Sequence, residues 1–363
     1  MSRIFLDSNA TTELDSRVVE VMLQELEAGP SNPSSIHYFG RAARQRLNNA
    51  RGTIARCLGV GSGELIFTSS GTEALNLAIL GQRPKGHIIT SKIDHAAVYK
   101  TIEGLGLPVT YLPVGKEGYV RVEDLENAIG PDTCMIVLSG VNSETGVKNP
   151  VEEIAAVAQR EGIPLVIDAV AWLGKEKFSI PDGVSAMTFS GHKIHGPKGV
   201  GLLFLRKGFR IEPLMIGGGQ EALRRGGTEN LPGIIGLAKA IELLEEELPA
   251  AAVKMAALRN QFEQGLQGVI INGTGPRVCN TSSVTFPGID GEALLIQLDL
   301  QGIAASMGSA CSAGALEPSK VLLNMGLTRK EAMSTIRFSL SRFTTAEEIQ
   351  ETLELFKSAQ ILS

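Results

Sequence analysis

Between residues 65 and 205 the chain repeatedly alternates short apolar runs with helical patterns, and this rhythm limits the folds available to it. Leu65–Thr68 reads as a strand and Gly71–Leu80 as a helix; His87–Ser91 is followed in the same way by Ala96–Leu105. Val109–Val114 and Val122–Ile129 form the next pair. Met135–Leu138 precedes a helix over Val151–Glu161 that starts after Pro150. Strands over Leu165–Asp168, Ala186–Phe189 and Gly201–Leu205 complete seven. Such runs are apolar on both faces, as expected of strands covered by crossover helices, so an α/β domain with a mostly parallel seven-stranded sheet is predicted.

After about Leu231 the pattern changes. Ile234–Leu248 and Ala250–Leu266 read as two long helices in near succession. A strand (Ser283–Phe286), a helix (Glu292–Leu300), a Gly/Ser/Ala-rich loop (304–315), a strand (Ile336–Leu340) and a closing helix (Ala346–Ala359) follow, which suggests a smaller α+β domain. With 363 residues and about 150 per domain, two domains are expected. The boundaries predicted are 16–248 for the large domain, and 1–15 with 249–363 for the small one.

Composition narrows the function classes. The net charge of −5 leaves no excess of Lys or Arg to neutralise phosphates, so nucleic acid is not an expected partner. The four cysteines, Cys57, Cys134, Cys279 and Cys311, include no C-x-x-C pair, so neither a disulfide framework nor the usual zinc spacing is present. No apolar stretch reaches the roughly 18 residues of a membrane span, and the beginning of the sequence has no signal-peptide run. A cytoplasmic protein without a membrane segment is the expectation.

Ligands of open α/β sheets sit beyond the carboxyl ends of the strands. Ser69-Ser70-Gly71-Thr72-Glu73 follows a strand and opens a helix, which suits either an anion site or a plain N-cap. The sequence lacks both G-x-x-x-x-G-K-[ST] and G-x-G-x-x-G, which argues against nucleotide loops. Asp168 ends an apolar strand, where it either caps a helix or meets a buried cation. Lys193 lies just past another strand among Gly and Ser, as a surface lysine or as a desolvated amine able to condense with a carbonyl. His192 and His195 have no third ligand nearby, so no metal is expected. Pyridoxal phosphate needs these three features: a phosphate cradle, an acid at the ring nitrogen and a lysine for the aldehyde. Asp168 and Lys193 are 25 residues apart, about one strand–turn–strand.

With these segments in view the sequence resembles the cysteine desulfurases, in the class V aminotransferase branch of the fold-type I pyridoxal-phosphate enzymes. The matching stretches run almost end to end: LDSNATT (6–12), SNPSSIHYFGR (31–41), IFTSSGTEALNLAI (66–79), IITSKIDHAAV (88–98), VNSETG (141–146), IDA (167–169), SGHKIHGPKGVG (190–201), GGGQEALRRGGTEN (217–230), SMGSACSAG (306–314) and IRFSLSRFTT (336–345). The resemblance implies a homodimer with active sites at the subunit interface, L-cysteine as substrate, L-alanine as product, and a persulfide passed to an acceptor such as an iron–sulfur scaffold protein.

It also implies residue roles. Gly71 and Thr72 match the phosphate-binding turn, with Ser190 and His192 on its second side and Thr228 reaching in from the other subunit. His95 matches the imidazole that stacks on the cofactor ring and shuttles protons. Asn142 and Asp168 match the residues that position the ring and hold its nitrogen, and Asn142 also borders the substrate. Lys193 matches the lysine that carries the cofactor. Arg337 matches the arginine that fixes the substrate carboxylate, and Asn32 lies in a segment bordering that carboxylate. Cys311 matches the catalytic cysteine.

The chain departs from the pattern at two positions. Ser143 replaces an asparagine commonly found beside Asn142. Ala171 stands where a glutamine usually donates a hydrogen bond to the cofactor's phenolic oxygen. A water or the altered surroundings are expected to replace that donor; the indole of Trp172, next along what reads as an extended segment, should point the opposite way. The alternatives at this stage are another pyridoxal-phosphate lyase or transaminase, such as a selenocysteine lyase, and a weakly active homologue that binds the cofactor.

Overall fold

The computed structural model describes residues 3–308 and 317–358. The strands are β1 (Ile4–Phe5), β2 (Leu65–Thr68), β3 (His87–Ser91), β4 (Val109–Leu112), β5 (Thr133–Ser139), β6 (Leu165–Asp168), β7 (Ala186–Ser190), β8 (Gly201–Leu205), β9 (Ile270–Ile271), β10 (Thr281–Thr285), β11 (Ile303–Ala304) and β12 (Thr335–Ser339). The helices used below are α1 (Ser16–Glu27), α2 (Tyr38–Leu58), α3 (Gly71–Leu80), α4 (Ala96–Glu103), α5 (Val122–Ala128), α6 (Val151–Glu161), α7 (Leu231–Gly265), α8 (Gly291–Leu300), α9 (Lys320–Asn324), α10 (Arg329–Met333) and α11 (Ala346–Ser358).

Seven strands form one sheet in the order β2-β8-β7-β6-β5-β3-β4. It is parallel from β7 to β4, and only β8 runs against its neighbours. The α/β class expected from the alternation is the one observed. Every residue of β2, β6, β7 and β8 is buried, because helices cover both faces. Strand order reverses between β3 and β5. At such a switch point the loops leave in opposite directions and open a crevice beyond the carboxyl ends of the strands.

A second core forms around the antiparallel sheet β12-β10-β9 and the parallel pair β1-β11. Leu6, Phe262, Phe286, Phe338 and Phe356 fill it, and the rings of Phe286 and Phe356 stack at 5.5 Å. An isolated bridge between Asp7 and Ser339 joins the beginning of the chain to this sheet.

Two expectations change. The two helices expected over 234–248 and 250–266 are one helix, α7. Pro249 removes one intrahelical bond, but it lies on the exposed side, while Leu231–Leu244 join the first core and Leu258 and Phe262 the second. Packing at both ends therefore carries the helix through the proline. A division at 248/249 thus falls inside a helix. Helices α1 and α2 stand outside the alternation pattern altogether. In α2 the buried stripe is Ala43, Leu47, Ala50 and Ile54, at helical spacing within an Arg- and Asn-rich sequence. The turn after Asp168 is helical rather than extended, because both Trp172 and Leu173 donate their N–H to the Ala169 carbonyl.

Candidate active site

A cavity of about 610 Å³ opens at the carboxyl ends of β3, β5, β6 and β7 and at the first turn of α3. Gly71, Thr72, His95, Asn142, Asp168, Ser190, His192 and Lys193 all line it, although they come from five separate stretches of sequence.

At one end sits α3. Ser70 caps it by accepting the Glu73 N–H at 3.1 Å. Gly71 and Thr72, whose first-turn N–H groups an α-helix leaves without intrahelical acceptors, line the cavity together with Ser190 and His192. A Cβ at position 71 would lie 2.6 Å from Val170 Cγ2, so only glycine lets the backbone come this close. His192 shares a hydrogen bond of 3.1 Å with Thr11 Oγ1, and burial and the neighbouring Lys193 bring its pKa down to about 4, which keeps the ring neutral.

Asp168 ends β6 with its side chain buried. One carboxylate oxygen accepts the Val170 N–H at 3.0 Å. Burial pushes its pKa up, opposed by the charges of His95 and Lys193. A carboxylate so placed is stabilised by a cationic partner from the cavity. Lys193 follows β7 in a single 3₁₀ turn, and its Nζ donates to the carbonyls of Asn9 (2.5 Å) and Ala10 (2.9 Å). His95 caps α4: its Nδ1 accepts the Ala97 N–H at 3.1 Å, so a neutral ring carries its proton on Nε2. The Asn142 amide is mostly committed to the backbone. Its oxygen accepts from Glu144 and Thr145, both at 3.0 Å, and its nitrogen donates to the Ile93 carbonyl at 2.8 Å.

Arg337 does not line the cavity itself but stands behind its wall. It is buried, donates to Asp7 Oδ1 at 2.7 Å and to the cavity-lining Ser143 carbonyl at 3.1 Å, and its Nε lacks an acceptor among the described residues. An orphaned buried guanidinium N–H suits an anionic ligand. Asn32 is exposed, accepts the Ser34 N–H and does not line the cavity. Thr228 is also exposed on this chain and away from the cavity. Cys311 lies outside the described residues. The other three cysteines are half-buried, and burial raises each thiol's pKa, that of Cys57 to about 12.

The structure adds residues that the sequence reading did not single out. Asn9 and Ala10 hold the Lys193 amine, and Glu144 contributes a buried carboxyl to the cavity. Ala171 lines the wall where the glutamine was expected, and Lys175, one helical turn later, lines it too. Lys175 is buried with its Nζ 3.4 Å from the Lys193 carbonyl, and burial brings its pKa down to about 8. Trp172 is turned away: its indole N–H donates to Glu176 at 2.7 Å and its ring stacks on Phe178. The VNSETG stretch carried a signal for Glu144; no pattern marked Lys175.

The residues present fit pyridoxal phosphate, with a glycine-floored helix terminus for a phosphate, a buried carboxylate for a ring cation and a lysine amine in the same cavity. Among the described residues no group of three or more His, Cys, Asp or Glu could hold a metal ion, and no helix is long and apolar enough to cross a membrane.

Comparisons with known proteins identify the family of the chain. The family model described as aminotransferase class-V matches residues 4–352. The chain is 44% identical over 368 residues to cysteine desulfurase 2 of Trichormus variabilis, covering 98% of this chain and 92% of that one. A solved NifS-like protein superposes with a TM-score of 0.92 at 37% identity, over 99% of both chains. SspA in complex with cysteine superposes with a TM-score of 0.83 at 32% identity, over 95% of this chain and 100% of that one. By sequence and by fold, the chain belongs to the class-V aminotransferase family, within its cysteine desulfurase branch.

Proposed function

We propose that this protein is a pyridoxal-phosphate-dependent cysteine desulfurase that converts L-cysteine to L-alanine and passes the sulfur on as a persulfide of Cys311. The observation that carries the reading is the convergence of Lys193, Asp168 and the first turn of α3 on one cavity, in a chain of this family. When bound, pyridoxal phosphate supplies an aldehyde and a ring that accepts electrons from the substrate Cα.

The chain's own residues do the rest. Gly71, Thr72, Ser190 and His192 receive the phosphate, joined by Thr228 of a second copy. Asp168 would hold a proton at the ring nitrogen of the cofactor, and His95 would border its ring. Lys193, the lysine that would hold the cofactor, would take the proton from the substrate Cα with its Nζ. Arg337 holds the substrate carboxylate, its orientation fixed by Asp7 and the Ser143 carbonyl. Asn32 and Asn142 border the substrate. The Cys311 thiolate attacks the substrate sulfur; the C–S bond breaks, an S–S bond forms, and alanine leaves after Cα and Cβ are reprotonated. The raised thiol pKa values of Cys57, Cys134 and Cys279 make them poor competitors, since the thiolate is the nucleophile.

A homodimer belongs to this reading. Ile36 (89% exposed), Tyr38, Phe39 and Ile216 (90% exposed) are large apolar side chains left open on the single chain, and Thr228 is exposed too. An iron–sulfur scaffold protein is the proposed acceptor and the cytoplasm the proposed location. The test is an assay of the purified protein with L-cysteine, alanine and sulfide being measured together with a thiol reductant present. Equal amounts of both support the reading. Pyruvate and ammonia in place of alanine would make the protein a β-lyase instead.

A further inference from the structure

Glu144 has no part in the chemistry above, yet it is a buried carboxyl in the wall of the active-site cavity. Its backbone is fixed, because its N–H donates to Asn142 Oδ1 at 3.0 Å. Its Oε2 accepts the hydroxyl of Ser319. Ser319 is the cap of α9 and accepts the Leu322 N–H at 3.2 Å, so its single proton is committed to Glu144. Gly308 comes to the same point. A Cβ built on it would lie 3.4 Å from Ser319 Cβ and 3.6 Å from Glu144 Oε2, and its φ of +61° favours glycine there. Gly308 and Ser319 are eleven positions apart in sequence, they lie side by side near one carboxyl, and the stretch they bound contains Cys311.

Nothing apolar in this corner requires an acid. Burial raises the Glu144 pKa, opposed by the Ser319 hydroxyl and by the neighbouring Arg337 and His95. A side chain that only filled space would be stabler as Leu or Met, since a buried carboxyl must be desolvated and hydrogen-bonded. What the carboxyl adds is a directional bond to Ser319 at one end of the stretch, at a point where Gly308, at the other end, lies alongside. Ser319 is thereby tied to the Asn142 loop at the carboxyl end of β5, with Gly308 beside it.

We propose that Glu144 is a positioning residue for sulfur transfer: by bonding Ser319 beside Gly308 it fixes the two ends of the stretch that carries Cys311 against the active-site cavity. The inference rests on the reading of Cys311 as the sulfur acceptor within the enzyme.

The test uses the purified, cofactor-loaded protein and three substitutions. Glu144→Ala and Ser319→Ala remove the bond, whereas Glu144→Gln keeps an oxygen that accepts the Ser319 hydroxyl. Three quantities are read: the cofactor spectrum and its change on adding L-cysteine, the single-turnover rate at which Cys311 gains sulfur, and the rate at which iodoacetamide alkylates Cys311. In Glu144→Ala and Ser319→Ala the spectral change should persist while sulfur transfer slows on the order of ten- to a hundredfold, the usual effect of misplacing a reacting group. Both should shift the Cys311 alkylation rate in the same direction, the double variant should be no worse than either single one, and Glu144→Gln should restore transfer and alkylation toward the parent rates. Wild-type transfer in both alanine variants would overturn the proposal, as would additive losses in the double variant or a lost spectral response to cysteine. If the parent protein places no sulfur on Cys311, the desulfurase reading fails, while the alkylation rates of the same variants still decide whether Glu144 positions the stretch.

Discussion

The amine of Lys193 is held by the carbonyl of Asn9 at 2.5 Å, a contact between residues 184 positions apart. The beginning of the chain thus reaches across to the turn after β7. Thr12 strengthens the strap by donating its N–H and hydroxyl to the His192 carbonyl, at 2.8 and 3.0 Å. Asn9 is itself fixed, since its amide donates to Thr281 Oγ1 and the Ser143 carbonyl. Carbonyl acceptors stabilise the charged amine, and exchange of those contacts for a covalent link to the cofactor requires its deprotonation.

Borohydride reduction of the cofactor-loaded protein, followed by peptide mapping, should therefore mark Lys193. A label on Lys175, whose pKa burial brings to about 8 in the same cavity, would reassign the cofactor lysine.

Asp168→Asn keeps the shape of the side chain and removes its charge. Cofactor should remain bound, with turnover down by two or more orders of magnitude, about 3 kcal/mol or more in the barrier. Turnover within a few-fold of the parent would contradict the role assigned to the carboxylate.

Arg337→Lys removes the planar fork and the orphaned Nε while keeping a charge. The expected result is a KM for L-cysteine raised on the order of tenfold or more, the loss of about one charge-assisted hydrogen bond. An unchanged KM would place the substrate carboxylate elsewhere.

Ala171→Gln returns an amide donor to the wall beside Lys175. A hydrogen bond to a charged oxygen contributes about 1.5–3 kcal/mol, equivalent to one to two units in a titration. The midpoint of the pH titration of the cofactor spectrum should fall by about one unit or more. If spectrum and rate stay as they were, another donor already serves the phenolic oxygen.

His195 links stability to pH. It is buried, its Nδ1 meets the Glu13 carbonyl at 3.0 Å, and burial followed by the charges of Arg342 and Lys175 lowers its pKa from 6.5 to about 4. Because the folded-state value is the lower one, the unfolded chain binds the extra proton between these two values. The stabilisation is full above pH 6.5 and is lost as pH falls toward 4, up to about 3 kcal/mol in all. His195→Asn, which tolerates the φ of +63°, should flatten the dependence of the urea midpoint on pH across that window. A slope equal to the parent's would assign the acid sensitivity to other groups.

Much of this was legible in the sequence because continuous apolar runs such as LVID and LIFT signal covered strands, and polar residues just past their ends are exposed to the crevice. Asp168, Lys193 and Gly71 were found by that logic, whereas His95 came from the family resemblance. The residues that escaped it have environments made by distant segments. Asn9 acquires its partners from positions 143, 281 and 339, and Glu144 from 319. Local pattern carries no information about such pairings. The break read at Pro249 failed for a related reason, since two cores hold α7 straight through a residue that by itself would end a helix.

The central claim is that sulfur from L-cysteine is transferred to Cys311 as alanine is released. Mass spectrometry of peptides from the cofactor-loaded protein, taken after a single turnover without reductant, tests it directly. The account predicts one additional sulfur atom on the Cys311 peptide, one alanine per modified site, and neither in Cys311→Ser although its cofactor spectrum still responds to cysteine. Alanine released at the parent rate by Cys311→Ser, or sulfur found only on Cys57, Cys134 or Cys279, would contradict it.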